Sequence, residues 1–329
     1  MPGIFQSMLV IFSVASLLTA VAVQLFYLGA RCCFTYLSPV RRARLLFLLG
    51  SAPLAVPLLL LMLVFIPSIL TWAGLVPDHC LAHDDHHGHL CFIHPPAFIR
   101  NPWVTVIALL LVAIVVLRWI RGFAEAYQAR TWSRLFQRNS HRAPGRCYRL
   151  VDVDRVLACS IGMFRPEILI SRGLEDRLST EELQVVIAHE RAHVERRDAL
   201  KLFIVKMLGV FFLPQVSKAL LSDLALAGEQ VCDQQASRET GSSIRVAKTI
   251  VKVQKLLPEQ SEDPLPAVHF SHVHIVQRVT SLLDQRSRGR FYHGMLPKYL
   301  LPGATMLFLL VYYEPIHHYV EDLYFALFQ

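Results

Sequence analysis

Apolar runs without a single charge divide this chain from more polar stretches. From Ile4 to Leu28 no side chain is charged, and at about 1.5 Å per residue such a run crosses a hydrocarbon core of about 30 Å. It has neither a basic start nor a small-residue cleavage site, so it reads as a retained span and not a signal peptide. A second uncharged run, Leu45 to Pro77, is longer than one upright helix needs. Pro53, Pro57 and Pro67 within it predict kinks, or a final portion lying in the interface. A third, Pro102 to Leu117, is short and nearly all aliphatic, bounded by Arg100 and Arg118. A fourth, Tyr299 to Tyr313, is barely long enough and contains Pro302 and Gly303. Four transmembrane helices are expected, with three as the fallback.

Between the third and fourth runs the pattern shortens. The stretch "CYRLVDVDRVLACSIGMFRPEILIS" predicts strands over Tyr148–Val153, Val156–Cys159 and Glu167–Ser171, broken at Gly162 and Pro166. Ser179 and Glu182 form a capping box, and Leu183, Val186 and Ile187 recur at helical spacing, so a helix begins near Thr180. A further helix is predicted from about Ser222 to Arg238, stopped by Gly241. The intervening "LKLFIVKMLGVFFLPQV" is apolar but interrupted by Lys206, as suits a core or membrane-surface helix.

Composition agrees with a membrane protein. Of 329 residues 54% are hydrophobic and 18% charged, and the mean hydropathy of +0.42 is too high for an ordinary soluble domain. Basic residues orient the spans. Arg31, Arg41, Arg42 and Arg44 lie between the first and second; Asp78, Asp84, Asp85 and a single Arg100 lie between the second and third. Arg118, Arg121, Arg130 and Arg134 follow the third, and Arg286, Arg288, Arg290 and Lys298 precede the fourth, beyond which only Glu314, Glu321 and Asp322 are charged. The expected organisation is a membrane domain over 1–120 with a periplasmic loop at 76–102, a cytoplasmic domain over 121–298, and a fourth helix with a short periplasmic tail over 299–329. An anionic bilayer surface accounts for the net charge of +8 better than nucleic acid does, and no RNA or DNA module is present.

The chemistry concentrates in "QVVIAHERAHVERRD". On a helix, His189 and His193 share one face and can present two nitrogens to a single zinc ion. Glu190 points about 100° round the helix, where its carboxylate can take a proton from water whose pKa the metal has lowered. A catalytic zinc needs a third protein ligand and an open position. Glycine and histidine would have to stand at Arg196 and Ala199 for the long metzincin pattern, which is therefore excluded. The candidates are Glu229, Asp233, His269, His272 and His274. Glu229 and Asp233 are four apart on the downstream helix, so one can bind metal while the other accepts the remaining N–H of a ligating histidine; the bland alternative is a solvated acidic face.

The sequence "RPEILISRGLEDRLSTEELQVVIAHERAHVERRDAL" followed by "AGEQVCDQQA" resembles the BlaR/MecR-type antirepressor metallopeptidases, integral membrane zinc proteases related to the HtpX-like and CAAX prenyl proteases. It covers roughly Cys147 to Leu283, and the order of spans matches as well. The matching features are the Arg-Pro strand before the helix, HExxH followed by Asp198, and Glu229 with Asp233 beside a cysteine. The resemblance implies a mainly α integral membrane protein with a small β-sheet and a cytoplasmic gluzincin-type domain. It further implies His189, His193 and Glu229 as ligands of one zinc, Glu190 as base, and Asp233 supporting a ligand from behind. "HIVQRVTSLL" is similar to the family's later helix, with Arg278 expected to pack or face a phosphate more than to stabilise an oxyanion. About sixteen residues follow Tyr313, where the best-known members carry a penicillin-binding sensor, so another signal is expected.

That signal has a candidate in "DHCLAHDDHHGHLCFIH", with His79, His83, His86, His87, His89 and His94 beside Cys80 and Cys91. Such histidine density suits zinc, copper or nickel, and a periplasmic disulfide between the two cysteines is the plainer reading. Cys32, Cys33, Cys147, Cys159 and Cys232 are expected as free thiols. The resulting expectation is a zinc endopeptidase of a bacterial inner membrane that cleaves a cytoplasmic target, for instance a winged-helix repressor. The alternatives are HtpX-like quality control and a receptor whose zincin-like domain only binds.

Overall fold

The computed structural model describes residues 2–75, 102–142, 145–257 and 274–284, with 315, 318–320, 322–324 and 326 near the C-terminus. The expected fourth span, the histidine-rich loop with Cys80 and Cys91, and His269 and His272 lie outside the described residues. Within them the protein is mainly helical with one small mixed sheet, and three helices are long and apolar enough to cross a membrane.

Those three are α1 (Pro2–Ala30), which runs on through a 3-10 turn at Arg31–Tyr36, α2 (Pro39–Trp72) and α3 (Pro102–Arg138). Pro39 and Pro102 open their helices, where the missing N–H has no intrahelical partner to lose. The second run, in which Pro53, Pro57 and Pro67 are expected to introduce kinks, forms one helical element: α2 continues through all three. With no water to take up freed backbone groups, a helix is the conformation that leaves fewest of them unsatisfied. α3 continues well past Leu117.

Two compact units emerge. The first comprises residues 1–26, 51–117 and 291–329. Its core gathers Ile4, Val10 and Ile11 of α1, Val64 and Phe65 of α2, Ala108 of α3 and Tyr324. Gln6 donates to the Thr105 hydroxyl, and the Ser7 and Tyr324 hydroxyls share a hydrogen bond, the small-residue polar contacts that hold apolar helices together where hydrophobic burial cannot.

The second unit comprises residues 27–50 and 118–290. Its sheet has the order β1-β2-β4-β3, with β1 (Ser140–His141), β2 (Arg149–Val151), β3 (Ala158–Ile161) and β4 (Glu167–Ser171). β1 and β2 are antiparallel, β2 and β4 parallel, and β3 and β4 antiparallel, with Ala158 opposite Ile170 and Ile161 opposite Glu167. β1 has no counterpart in the pattern of the sequence, and β3 starts two positions later than expected because Val156 turns into the core beside Leu174. Gly162 links β3 to β4 at φ 97°, where a Cβ would stand 2.7 Å from the Arg165 carbonyl oxygen; only glycine fits.

Helices follow. Ser171 caps the short α4 (Arg172–Glu175). α5 (Thr180–Arg196) carries the expected capping box: Ser179 Oγ accepts from the Glu182 N–H at 3.2 Å and Glu182 Oε2 accepts from the Ser179 N–H at 2.8 Å. Arg197, left-handed at φ 53°, separates it from α6 (Asp198–Leu208). α7 (Pro214–Thr240) starts eight residues before the expected Ser222, because Pro214 presets the first turn, and ends at the left-handed Gly241. α8 (Ser243–Leu256) and α9 (Ile275–Leu283) complete the unit.

Leu150, Ile168, Ile170, Leu174 and Val186 pack α5 against the sheet. Val185 and Ala188 on the same helix meet Ala236 of α7, Val246 of α8 and Leu282 of α9. With Ala188, Ala192, Ala227 and Ala236 all buried, α5 and α7 approach closely. That approach positions the site.

Candidate metal centre

On α5, one turn apart, His189 and His193 turn their rings toward each other with Nε2 to Nε2 at 3.2 Å. α7 then lays Glu229 across both, Oε2 at 3.4 Å from His189 Nε2 and Oε1 at 3.3 Å from His193 Nε2. All three donors lie within 4.8 Å of one another. Tetrahedral zinc with bonds of about 2.1 Å keeps its ligand atoms about 3.4 Å apart, so the separations fit such an ion.

The ring nitrogens pointing away are held as well. Asp233, one turn beyond Glu229, stands 2.9 Å from His189 Nδ1, and Asp198 at the start of α6 stands 3.1 Å from His193 Nδ1. A carboxylate on Nδ1 fixes the tautomer in which Nε2 carries a free lone pair, the form that ligates metal. Donor chemistry, spacing and tautomer all fit zinc.

Arg278 on α9 completes the arrangement. Buried, it donates from Nε and Nη2 to the two oxygens of Asp233, each at 2.8 Å, while Nη1 lies 3.0 Å from Glu229 Oε2. The expectation of a packing or phosphate-facing arginine gives way to an ion pair with the acids of the site. Its two-pronged geometry matches a carboxylate, and the buried acids would be costly without it.

Electrostatics follow from this packing. Burial pushes Glu229 and Asp233 upward, but Arg278 and the histidines outweigh it and hold both carboxyls below the usual range, Glu229 well below. Burial pushes Asp198 upward too, and is overcome by His193 and by Arg196, whose Nε stands 3.0 Å from Oδ2. Both histidines are depressed by burial yet raised overall, His189 by Asp233 and Glu229, His193 by Cys232, Glu229 and Asp198. Burial holds the Cys232 thiol up at about 11, so at neutral pH the carboxylates are the charges acting on His193. Cys232 Sγ also lies 3.6 Å from Asp198 Oδ2. Because Arg196 and Lys201 flank Asp198, that aspartate orients His193 in place of forming a second cation site with Cys232.

Glu190 is buried on α5 and lines, with His189 and His193, a cavity of about 1740 Å3. It also raises the Cys159 thiol of β3, which burial in the first place and Glu190 in the second push to about 12. Of the third-ligand candidates described, Glu229 and Asp233 are at the site. The ring of His274 is engaged by Ser222 at 3.1 Å and Gln277 at 2.8 Å. Asp198 had no assigned role in the sequence, where the only local sign was an aspartate directly after the helix, and the ion pair of Arg278 with both acids was not foreseen. The described cysteines are free, as expected.

The family model described as BlaR1 peptidase M56 matches residues 95–282, which take in α3, the sheet and almost all of α4–α9. No curated protein and no solved structure matches the chain.

Proposed function

Because the chain belongs to the BlaR1-type M56 family of membrane metallopeptidases, matched over residues 95–282 of its 329, we propose that it is a zinc endopeptidase. The observation that carries this reading is the convergence of His189, His193 and Glu229, with Asp233 and Asp198 behind the two rings. Those three side chains would hold the ion, which when bound would supply Lewis acidity at the site and lower the pKa of water toward about 7.

Residues of the chain supply the rest. Glu190 accepts the proton of the attacking water and passes it to the leaving amine. Asp233 and Asp198 keep the imidazoles from turning. β3 borders α5, and among the described residues it pairs only with β4, so its other edge offers backbone groups to an extended peptide. The cavity exceeds the roughly 300–1,000 Å3 of small-molecule sites, which suits a polymer.

Orientation and substrate complete the proposal. The basic flanks of the spans favour a site facing the cytoplasm of a bacterial inner membrane, and a cytoplasmic regulator, cut in response to a periplasmic signal, as substrate. The test is Glu190→Gln in the full-length protein. It should retain zinc by elemental analysis and lose hydrolysis of a peptide library. A Glu190→Gln protein that still cleaves overturns the mechanism.

A further inference from the structure

We propose that four arginines on the cavity wall, Arg44, Arg130, Arg134 and Arg165, select peptide segments that carry acidic residues beside an apolar one. This rests on the peptidase reading above and names the substrate chemistry for it.

The cavity's charged side chains fall into two groups. In one, each charge has its counter-charge: Lys206 with Glu125, Arg196 and Lys201 with Asp198, Arg278 with Asp233 and Glu229. The other group is these four arginines, which line the same cavity, are exposed, and have no acidic partner among the described residues. Glu190 is the one lining acid outside the pairs, and the chemistry uses it. The wall therefore carries an excess of positive charge with no acid among the described residues set against it.

Position along α3 gives the excess a direction. Phe123, Tyr127, Arg130 and Arg134 follow one another at spacings of four, three and four, which puts them on one helix face, and all four line the cavity. An extended peptide lying along this face of α3 has aromatic surface and guanidinium groups side by side. Arginine's planar fork suits carboxylates.

An anionic lipid surface is the competing occupant, and for Arg130 and Arg134 the length of α3 argues against it. Arg130 and Arg134 come 13 and 17 residues after Leu117, where the apolar run ends. At about 1.5 Å per residue they stand roughly 20 and 25 Å further along the axis, whereas a headgroup layer adds only about 5–8 Å beyond the hydrocarbon.

The experiment measures binding apart from cleavage. The zinc-loaded full-length Glu190→Gln protein in zwitterionic nanodiscs is titrated against fluorescent decapeptides holding Asp or Glu beside Phe or Leu, and against the same peptides with Asn or Gln. The acidic series should bind about threefold to tenfold tighter, the size that a few partly exposed ion pairs support, and added salt should erode the difference. Arg130→Ala/Arg134→Ala should abolish the preference while amide peptides bind as before. Arg130→Glu/Arg134→Glu should turn it toward lysine-bearing peptides, a gain that misfolding cannot produce. Equal binding of the two series, or a preference indifferent to both double variants, overturns the proposal. So does a loss confined to binding of anionic vesicles, which would assign the arginines to headgroups. Acid-selective binding without any hydrolysis by the wild-type protein would leave this inference standing and sink the peptidase reading.

Discussion

Asp198 reaches back across a left-handed residue to the ring of His193, Oδ2 to Nδ1 at 3.1 Å. Arg197, at φ 53°, is the only described non-glycine residue with positive φ. It lets α5 end and α6 begin within one residue, so the first side chain of α6 points at the last imidazole of α5. A non-glycine residue in this region costs on the order of 1 kcal/mol, and the surrounding packing holds it there.

Removing that support should loosen the metal. Asp198→Ala is expected to weaken zinc binding by about 10–100-fold, and Asp198→Asn less, since the amide oxygen can still accept from Nδ1. Competition with a chromogenic chelator measures both. Unchanged affinity in Asp198→Ala would remove Asp198 from the site.

Arg278 neutralises two buried acids, so its loss should register as stability. Arg278→Met leaves Asp233 and Glu229 without their cation and should destabilise the apo protein by about 3–5 kcal/mol. Arg278→Lys should fall between, because one ammonium cannot make the paired contact to Asp233. Adding Asp233→Asn to Arg278→Met should cost less than the two separate effects together. Additive losses in thermal unfolding would show that the two side chains do not act as a pair.

Asp223 carries a pH dependence. Tyr27 donates to its Oδ2 at 2.7 Å, and Arg31 contacts both oxygens at 2.8 and 2.9 Å. Burial raises this carboxyl, but Arg31 and Tyr27 outweigh it and hold the folded value below the usual range. A depressed carboxyl contributes its stabilisation in full above the unfolded value of about 3.9 and loses it as pH falls through the lower folded value. The difference in Tm between wild type and Asp223→Asn should therefore be constant above about pH 5 and shrink toward acid. A difference that grows toward acid would contradict the ion pair.

Topology is testable through thiols. A reagent that cannot cross the inner membrane should reach Cys80 and Cys91, after reduction if they are paired, and should miss the exposed Cys147 until the membrane is opened. Labelling of Cys147 in cells with only the outer membrane permeabilised would reverse the orientation and move the substrate to the periplasm.

What the sequence determined by itself is local. The uncharged runs locate the three long helices, because a bilayer demands about 20 apolar residues whatever surrounds them, but not their ends, since α3 runs on past Leu117 to Arg138. Ser179 and Glu182 place the start of α5 through bonds within four residues, and that start puts His189 and His193 on one face. The short strands were legible to within two or three residues, β1 not at all, since a two-residue strand has no period to read. Tertiary structure decided whatever depends on which helices meet. Glu229 and Asp233 share one spacing and one helix, and neither shows in sequence which faces the Nε2 atoms. The close approach of α5 and α7 over their buried alanines turns Glu229 to both rings and Asp233 to His189 Nδ1. Arg278 lies 45 residues from Asp233 and gains its role only because α9 packs on α7. Its buried ion pair exists in the folded core alone, where desolvation makes a partner obligatory.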